Sequence, residues 1–172
     1  MTVIQSQSSF RSLPFWKKTF IAGFIAITIN SVLLKLAKPL GFNAESGGLL
    51  KLMVLKTGSI AKATGISKWW TEAGLPLPSS LIFWLVFHYL TGFAMVLLYV
   101  IFLEKRLPGN WFVKGTLFSL FPWLINGLIV LPLLGQGIFG YQTLPFSGMV
   151  YFFIANWVFT VTFVYINNKS GS

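Results

Sequence analysis

Long runs of apolar residues, separated by shorter polar stretches, dominate the pattern of this chain. The runs cover residues 15–37, 81–103, 111–134 and 148–166. Each is about as long as the roughly 20 residues that a helix needs to cross the hydrocarbon core of a bilayer. The pattern therefore predicts an all-α membrane protein with four transmembrane helices in an antiparallel bundle, forming a single integral membrane domain over residues 1–172.

The composition also favours lipid over water as the solvent. Hydrophobic residues make up 55% of the 172 residues, charged residues make up 9%, and the mean hydropathy is +0.76. Soluble domains carry about 25% charged residues. A signal peptide is the alternative for the first run, but its apolar region is typically only about 7–15 residues long. Lys35 and Lys38 stand where cleavage would occur, so we interpret them as anchors that reach from a helix end toward the headgroups.

The connections between the apolar runs differ in length. Residues 39–80 are too long for a simple loop, and they contain the run L-L-K-L-M-V-L and the pair Trp69-Trp70. This run is too short to span, and the lysines near it do not share one helical face. It is either a helix lying at the membrane interface or a cap over the bundle. Residues 104–110 form a short turn, which predicts a hairpin of the second and third spans.

The positive charges bear on orientation and on partners. Four spans place both termini on one side, with seven basic residues there: Arg11, Lys17, Lys18, Lys105, Arg106, Lys114 and Lys169. The other side has six: Lys35, Lys38, Lys51, Lys56, Lys62 and Lys68. The positive-inside rule favours cytoplasmic termini in the inner membrane, and a cytoplasmic long loop is the alternative. Membrane lipids are the expected partners of these charges, and no nucleic-acid motif accompanies them.

A glycine-rich motif follows the third run. Gly135, Gly137 and Gly140 spell G-x-G-x-x-G, which cradles a dinucleotide when it follows a strand and an acidic residue comes about 20 positions later. Here the motif follows a predicted helix, and no Asp or Glu occurs after Glu104. We therefore exclude a nucleotide, and we interpret Pro132 and the three glycines as a helix end and its turns. A re-entrant loop is the alternative.

These residues carry a resemblance to a known family. The motif Pro132-x-x-Gly135-x-Gly137-x-Phe139-Gly140, with His88-x-x-x-Gly92 and Tyr99 in an earlier span, resembles the YagU-like group of small bacterial membrane proteins. The similarity covers mainly residues 81–140, and it departs at Val96, where a second small residue is expected. The resemblance implies an architecture of about four spans and little chemistry.

Each predicted span contains one polar residue that stands out: Asn30, His88, Asn126 and Asn156. At a rise of ~1.5 Å per residue, their depths from the side of the termini are roughly 18, 21, 21 and 17 Å. All four can therefore share one layer. They either join helices by hydrogen bonds or form a buried polar site for a ligand, ion or proton.

His88 has a further interpretation as the axial ligand of a haem or a pigment, because Gly92 lets a flat ring approach the same stripe. The chain has only one histidine and neither Cys nor Asp, so we predict no cofactor and no metal site. Its three carboxylates, Glu45, Glu72 and Glu104, all lie in predicted loops, so we also predict no catalysis.

Two functions from different classes remain. The first is a structural, assembly or accessory subunit, in a homo-oligomer or a larger membrane complex. The small-residue pairs Ala22-x-x-x-Ala26 and Gly115-x-x-x-Ser119 favour it, because they allow helices to pack closely. The second is the binding or transport of a small solute or lipid through the polar layer.

Overall fold

Six helices make up the computed structural model, which describes residues 13–44 and 47–169. We number them in chain order as α1 Leu13–Leu36, α2 Gly48–Ala63, α3 Ile66–Glu72, α4 Leu81–Leu103, α5 Trp111–Leu133 and α6 Phe146–Lys169. No β-strand occurs within those two ranges. Arg11, one of the basic residues on the side of the termini, and Glu45, one of the three carboxylates, lie outside these ranges.

Four of the helices are long and apolar enough to cross a membrane, and they are α1, α4, α5 and α6. The four predicted spans are thus confirmed as long apolar helices. α5 ends one residue earlier than predicted, and α6 extends beyond the predicted run at both ends.

α1 and α6 are joined along most of their length by paired contacts. The Thr19 hydroxyl donates to the Asn167 side chain at 3.0 Å, and the Tyr151 hydroxyl donates to the Leu33 carbonyl at 2.7 Å. The contacts therefore advance in opposite directions along the two helices. Phe42 extends this contact beyond α1, because its ring stacks on Tyr151 at 4.8 Å.

Small residues let the helix backbones approach closely. Ala22 and Ala26 on α1 are fully buried. On α5, a methyl group added at Gly115 would lie 2.8 Å from the Cα atom of Val161 on α6. Both small-residue pairs are therefore used inside this chain, and they no longer support a homo-oligomer.

The predicted hairpin of α4 and α5 forms only in part. Tyr99 and Phe118 bring the two helices into contact near their connection, with ring centroids 4.9 Å apart. Beyond that point α4 packs mainly on α1 and α5 mainly on α6. The reason is steric, because Gly92 of α4 receives the Ile27 side chain of α1. A gap consequently separates α4 and α5 on the side away from their turn.

The long connection folds into the two short helices α2 and α3. The first turn of α2 is buried at Gly48 and Leu50, whereas most of the remaining residues of α2 are exposed. Trp70 of α3 donates its indole N–H to the Pro76 carbonyl at 2.9 Å, and Trp69 is exposed. The apolar run, predicted as either an interfacial helix or a cap over the bundle, is thus helical, with its first turn inserted against the long helices.

The close approach at Gly115 predicts a stability difference between two identical substitutions. Gly115→Ala places a methyl group against the backbone of α6, so we expect it to lower the unfolding free energy by about 1–3 kcal/mol. Gly58→Ala on α2 meets no atom within 4 Å. We expect it to be neutral or to stabilise the helix by up to about 1 kcal/mol. Thermal unfolding midpoints in detergent micelles measure both, and equal midpoints would contradict the packing.

Candidate functional site

A cavity of about 120 Å³ lies among the four long helices, and the first turn of α2 closes one end of it. Its lining includes all four polar residues of the predicted layer, Asn30, His88, Asn126 and Asn156, one from each long helix. The structure therefore brings together residues that sequence could place only at a similar depth. The volume gives room for several water molecules or a small solute.

Asn30 is the centre of the polar contacts in the cavity. Its Nδ2 donates to the Ala155 carbonyl on α6 at 2.8 Å, and its Oδ1 lies 3.1 Å from Nε2 of His88 on α4. The first bond fixes the orientation of the carboxamide, so Oδ1 must be the acceptor and Nε2 the donor. In the neutral imidazole, the Nδ1 atom of His88 is then an acceptor. One buried side chain thus joins three helices.

Asn126 and Asn156 form a different kind of contact. Each donates Nδ2 to the carbonyl four residues earlier on its own helix, at 2.8 Å, the acceptors being Pro122 and Phe152. Their carboxamide oxygens form no hydrogen bond with any residue that the structure describes. These two residues therefore do not join helices, and each offers an acceptor at the wall of the cavity.

The helix around Asn126 departs from regular α geometry. Residues Asn126–Val130 form a π-turn, which directly follows the α-helical segment that contains Pro122. Pro122 has no N–H and so cannot donate to the Phe118 carbonyl one turn earlier. The carbonyl of Pro122 itself accepts a hydrogen bond from the Asn126 side chain. π-turns are frequently found at functional sites because they interrupt the regular ladder.

His88 packs against aromatic and aliphatic side chains. Its ring stacks on Trp84 with centroids 4.9 Å apart and an angle of 7° between the planes. The side chain of Ile27 occupies the space beside Gly92, where a cofactor ring was predicted to be able to approach. A methyl group added at Gly92 would lie 2.6 Å from that side chain. The part of the chain that the structure describes contains no cluster of three metal-ligating His, Asp or Glu residues.

Most of the remaining wall is apolar, and none of its described residues is charged. Two further residues of the wall, Trp84 and Thr91, were not predicted from the sequence. They lie four residues before and three residues after His88, so they share its helix face, and that spacing could have identified them. It also missed Gly47–Leu50 of the long connection, for which the sequence gives no signal. The apolar part of the wall comprises Ile27, Leu34, Phe87, Met95, Ile125, Val130, Phe152 and Phe159.

The glycine-rich motif forms a separate feature outside the cavity. Pro132 lies in the last turn of α5, and Gly135, Gly137 and Gly140 all have positive φ, at 75°, 75° and 79°. The loop forms one short 3-10 turn, Ile138–Gly140, and packs against the last part of α5.

Phe139 holds that loop in place. It has a φ of 54°, which is unusual for a residue other than glycine. Its ring occupies the space where Gly127 lacks a side chain, and it stacks on Trp123 with centroids 4.4 Å apart. The motif follows a helix and is held against that helix by this ring, so the geometry supports a structural turn.

No protein-family model, no curated protein and no solved structure matches this chain. The resemblance to the YagU-like group therefore stays a prediction from residues 81–140.

The two kinds of polar contact predict different effects of the same substitution. Asn30→Leu removes the bond to the Ala155 carbonyl and leaves the buried His88 N–H without its partner, so we expect it to lower the unfolding free energy by about 1–3 kcal/mol. Asn126→Leu and Asn156→Leu remove bonds within one helix and should cost less than about 1 kcal/mol. Chemical unfolding in mixed micelles compares the three variants. A similar loss in all three would mean that the whole layer joins helices.

Proposed function

We propose that this protein is a multi-pass membrane protein that holds a small, uncharged, hydrogen-bonding molecule in the cavity among its four long helices. The observation that carries the proposal is that all four residues of the predicted polar layer line one cavity, where two of them form no contact between helices. Side chains retained only to join helices would be expected to bond across them.

Membrane insertion is supported by the four long apolar helices. We propose that they form an antiparallel bundle, which agrees with the opposite direction of the contacts between α1 and α6. Both termini then lie on one side, and the basic residues favour the cytoplasmic side of the inner membrane for them.

The chemistry of the cavity wall limits which kinds of molecule can bind there. Without a charged side chain among the described residues of the wall, the cavity does not compensate a bare ion, whose transfer from water is costly. The groups left open are acceptors: Nδ1 of His88 and Oδ1 of Asn126 and Asn156. They complement a molecule with hydroxyl or amide N–H donors, and the surrounding apolar wall suits a guest with an apolar part.

The route to the cavity follows from how the helices pair. α4 packs mainly on α1 and α5 mainly on α6, and few contacts join α4 directly to α5. We propose that the space between α4 and α5 opens toward the lipid tails. We propose that the guest enters from the membrane, either as a solute that partitions into lipid or as part of a lipid.

Binding rather than catalysis is the proposed role. The described carboxylates, Glu72 and Glu104, are absent from the wall of the cavity. Glu104 accepts from Asn167 at 3.3 Å near the ends of α4 and α6, and Glu72 lies 3.8 Å from Lys68 on α3. Neither can act on a molecule beside His88.

A second candidate function is that of an accessory subunit with a protein partner. One observation favours it, namely that α2 and α3 expose large apolar side chains. Leu55 and Ile60 are each 61% exposed, and Trp69 is 60% exposed. A stable complex that survives gentle detergent extraction and is lost when these three residues become polar would support this candidate.

We expect the guest to remain bound during gentle purification. Native mass spectrometry of the protein from its own membranes should show an added mass, and Asn126→Leu and Asn156→Leu should each lower the affinity for the guest by about tenfold, the effect of losing one hydrogen bond of about 1.4 kcal/mol. Asn168→Leu is the matched control, since Asn168 is exposed at the end of α6.

Two results would contradict the proposal. One is a bare mass for the folded wild-type chain even after incubation with an extract of its own membrane lipids and solutes. The other is an added mass that all three variants retain equally.

A further inference from the structure

A second opening lies beside the cavity, at the end of the long helices. This groove of about 630 Å³ is bounded by the last turn of α1, the first half of α2 and the start of α4. Trp84 and Leu50 line both spaces and so form the wall between them. The groove plays no part in the proposed function.

The polar groups of the groove are donors. Lys35 places its Nζ atom 4.1 Å from the centroid of the Trp84 ring, and it forms no ion pair with a residue that the structure describes. Lys51 adds a second positive charge to the lining. No carboxylate occurs among the described residues of the groove.

Trp84 and Ser80 add two neutral donors. Trp84 is only 9% exposed, and its indole N–H has no hydrogen-bond partner within residues 13–44 and 47–169. Ser80 accepts from the Phe83 amide at 3.2 Å through its Oγ atom, so its hydroxyl hydrogen is still available to donate. An ammonium group, an indole N–H and a hydroxyl in one groove match an anion with several acceptor oxygens, such as a phosphate.

The rest of the groove is apolar and open. Val54 and Leu55 of α2 are 38% and 61% exposed, and Leu81 at the start of α4 is 57% exposed. A soluble anion gains nothing from these side chains, whereas an acyl chain attached to a phosphate would cover them at about 25 cal/mol per Å² of apolar surface.

We infer that this groove binds one anionic phospholipid, with its phosphate at Lys35, Trp84 and Ser80 and an acyl chain along Val54, Leu55 and Leu81. The position agrees with this occupant, because the last turn of α1 and the first turn of α4 mark the ends of two apolar spans. Those ends lie at the level of the headgroups when the spans cross a bilayer.

The test is a lipid titration of the full-length protein in a mild detergent, followed by native mass spectrometry. The probes are phosphatidylglycerol and phosphatidylcholine with identical acyl chains. We expect the anionic lipid to bind more tightly, and Lys35→Gln to weaken it about fivefold, as one lysine near an anionic lipid contributes about that factor. Lys35→Arg keeps the charge and should retain the affinity.

Lys38→Gln is the matched control, because Lys38 follows α1 but does not line the groove. It removes the same charge, and we expect it to weaken binding less than twofold. Equal weakening by Lys35→Gln and Lys38→Gln, or equal affinity for the two lipids, would overturn the specific site. Unchanged thermal midpoints for both variants verify that they fold.

Two further measurements distinguish a lipid from a soluble anion in the groove, and this inference from the proposed function of the inner cavity. Inorganic phosphate should fail to displace the lipid, and displacement at millimolar concentration would overturn the lipid in favour of a soluble anion. Asn126→Leu should leave phosphatidylglycerol binding intact, because Asn126 lines only the inner cavity. A wild-type chain that binds the anionic lipid but holds no inner guest contradicts only the proposed function. A wild-type chain that holds the guest but shows no preference for the anionic lipid contradicts only this inference.

Discussion

The structure depends on the need to satisfy polar groups inside an apolar protein. Asn30 meets this need by joining α1 to α4 through His88 and to α6 through the Ala155 carbonyl. Asn167 has the same role at the other end of the bundle, where its side chain accepts a hydrogen bond from Thr19 and donates one to Glu104. In lipid, such bonds determine which helices adjoin, because apolar side chains gain little by leaving one apolar environment for another.

Close packing on one side of the bundle leaves space on the other. Gly115 lets α5 approach α6 backbone to backbone, while Gly92 receives a side chain from α1 and so holds α4 against that helix. Because each helix of the α4–α5 pair is committed to a different neighbour, the two separate once past Tyr99 and Phe118. The positions of Gly92 and Gly115 therefore create the space between α4 and α5 in which the cavity lies.

The sequence predicted the long helices well because their length and apolar composition are local properties. It also brought four polar residues to one depth, since the rise of a helix is fixed. It failed at pairings that depend on distant side chains, such as Ile27 against Gly92. It likewise could not place the start of α2 against the cavity, because that contact depends on the three-dimensional path of residues 37–47 and not on any periodicity. The packing of Phe139 over Gly127 was missed for the same reason.

The π-turn at Asn126–Val130 has a consequence for how this chain can change. Such a turn holds one residue more than an α-turn over the same stretch of helix. Each residue rotates an α-helix by about 100°. Deleting one residue there would restore a regular helix, but it would turn the first part of α5 relative to the part that carries Phe139 and the glycine turns. The extra residue thus offsets the two parts of α5 in rotation, so that the first part presents Gly115 to α6 while the last turn leads into the Phe139 loop that packs back on the helix.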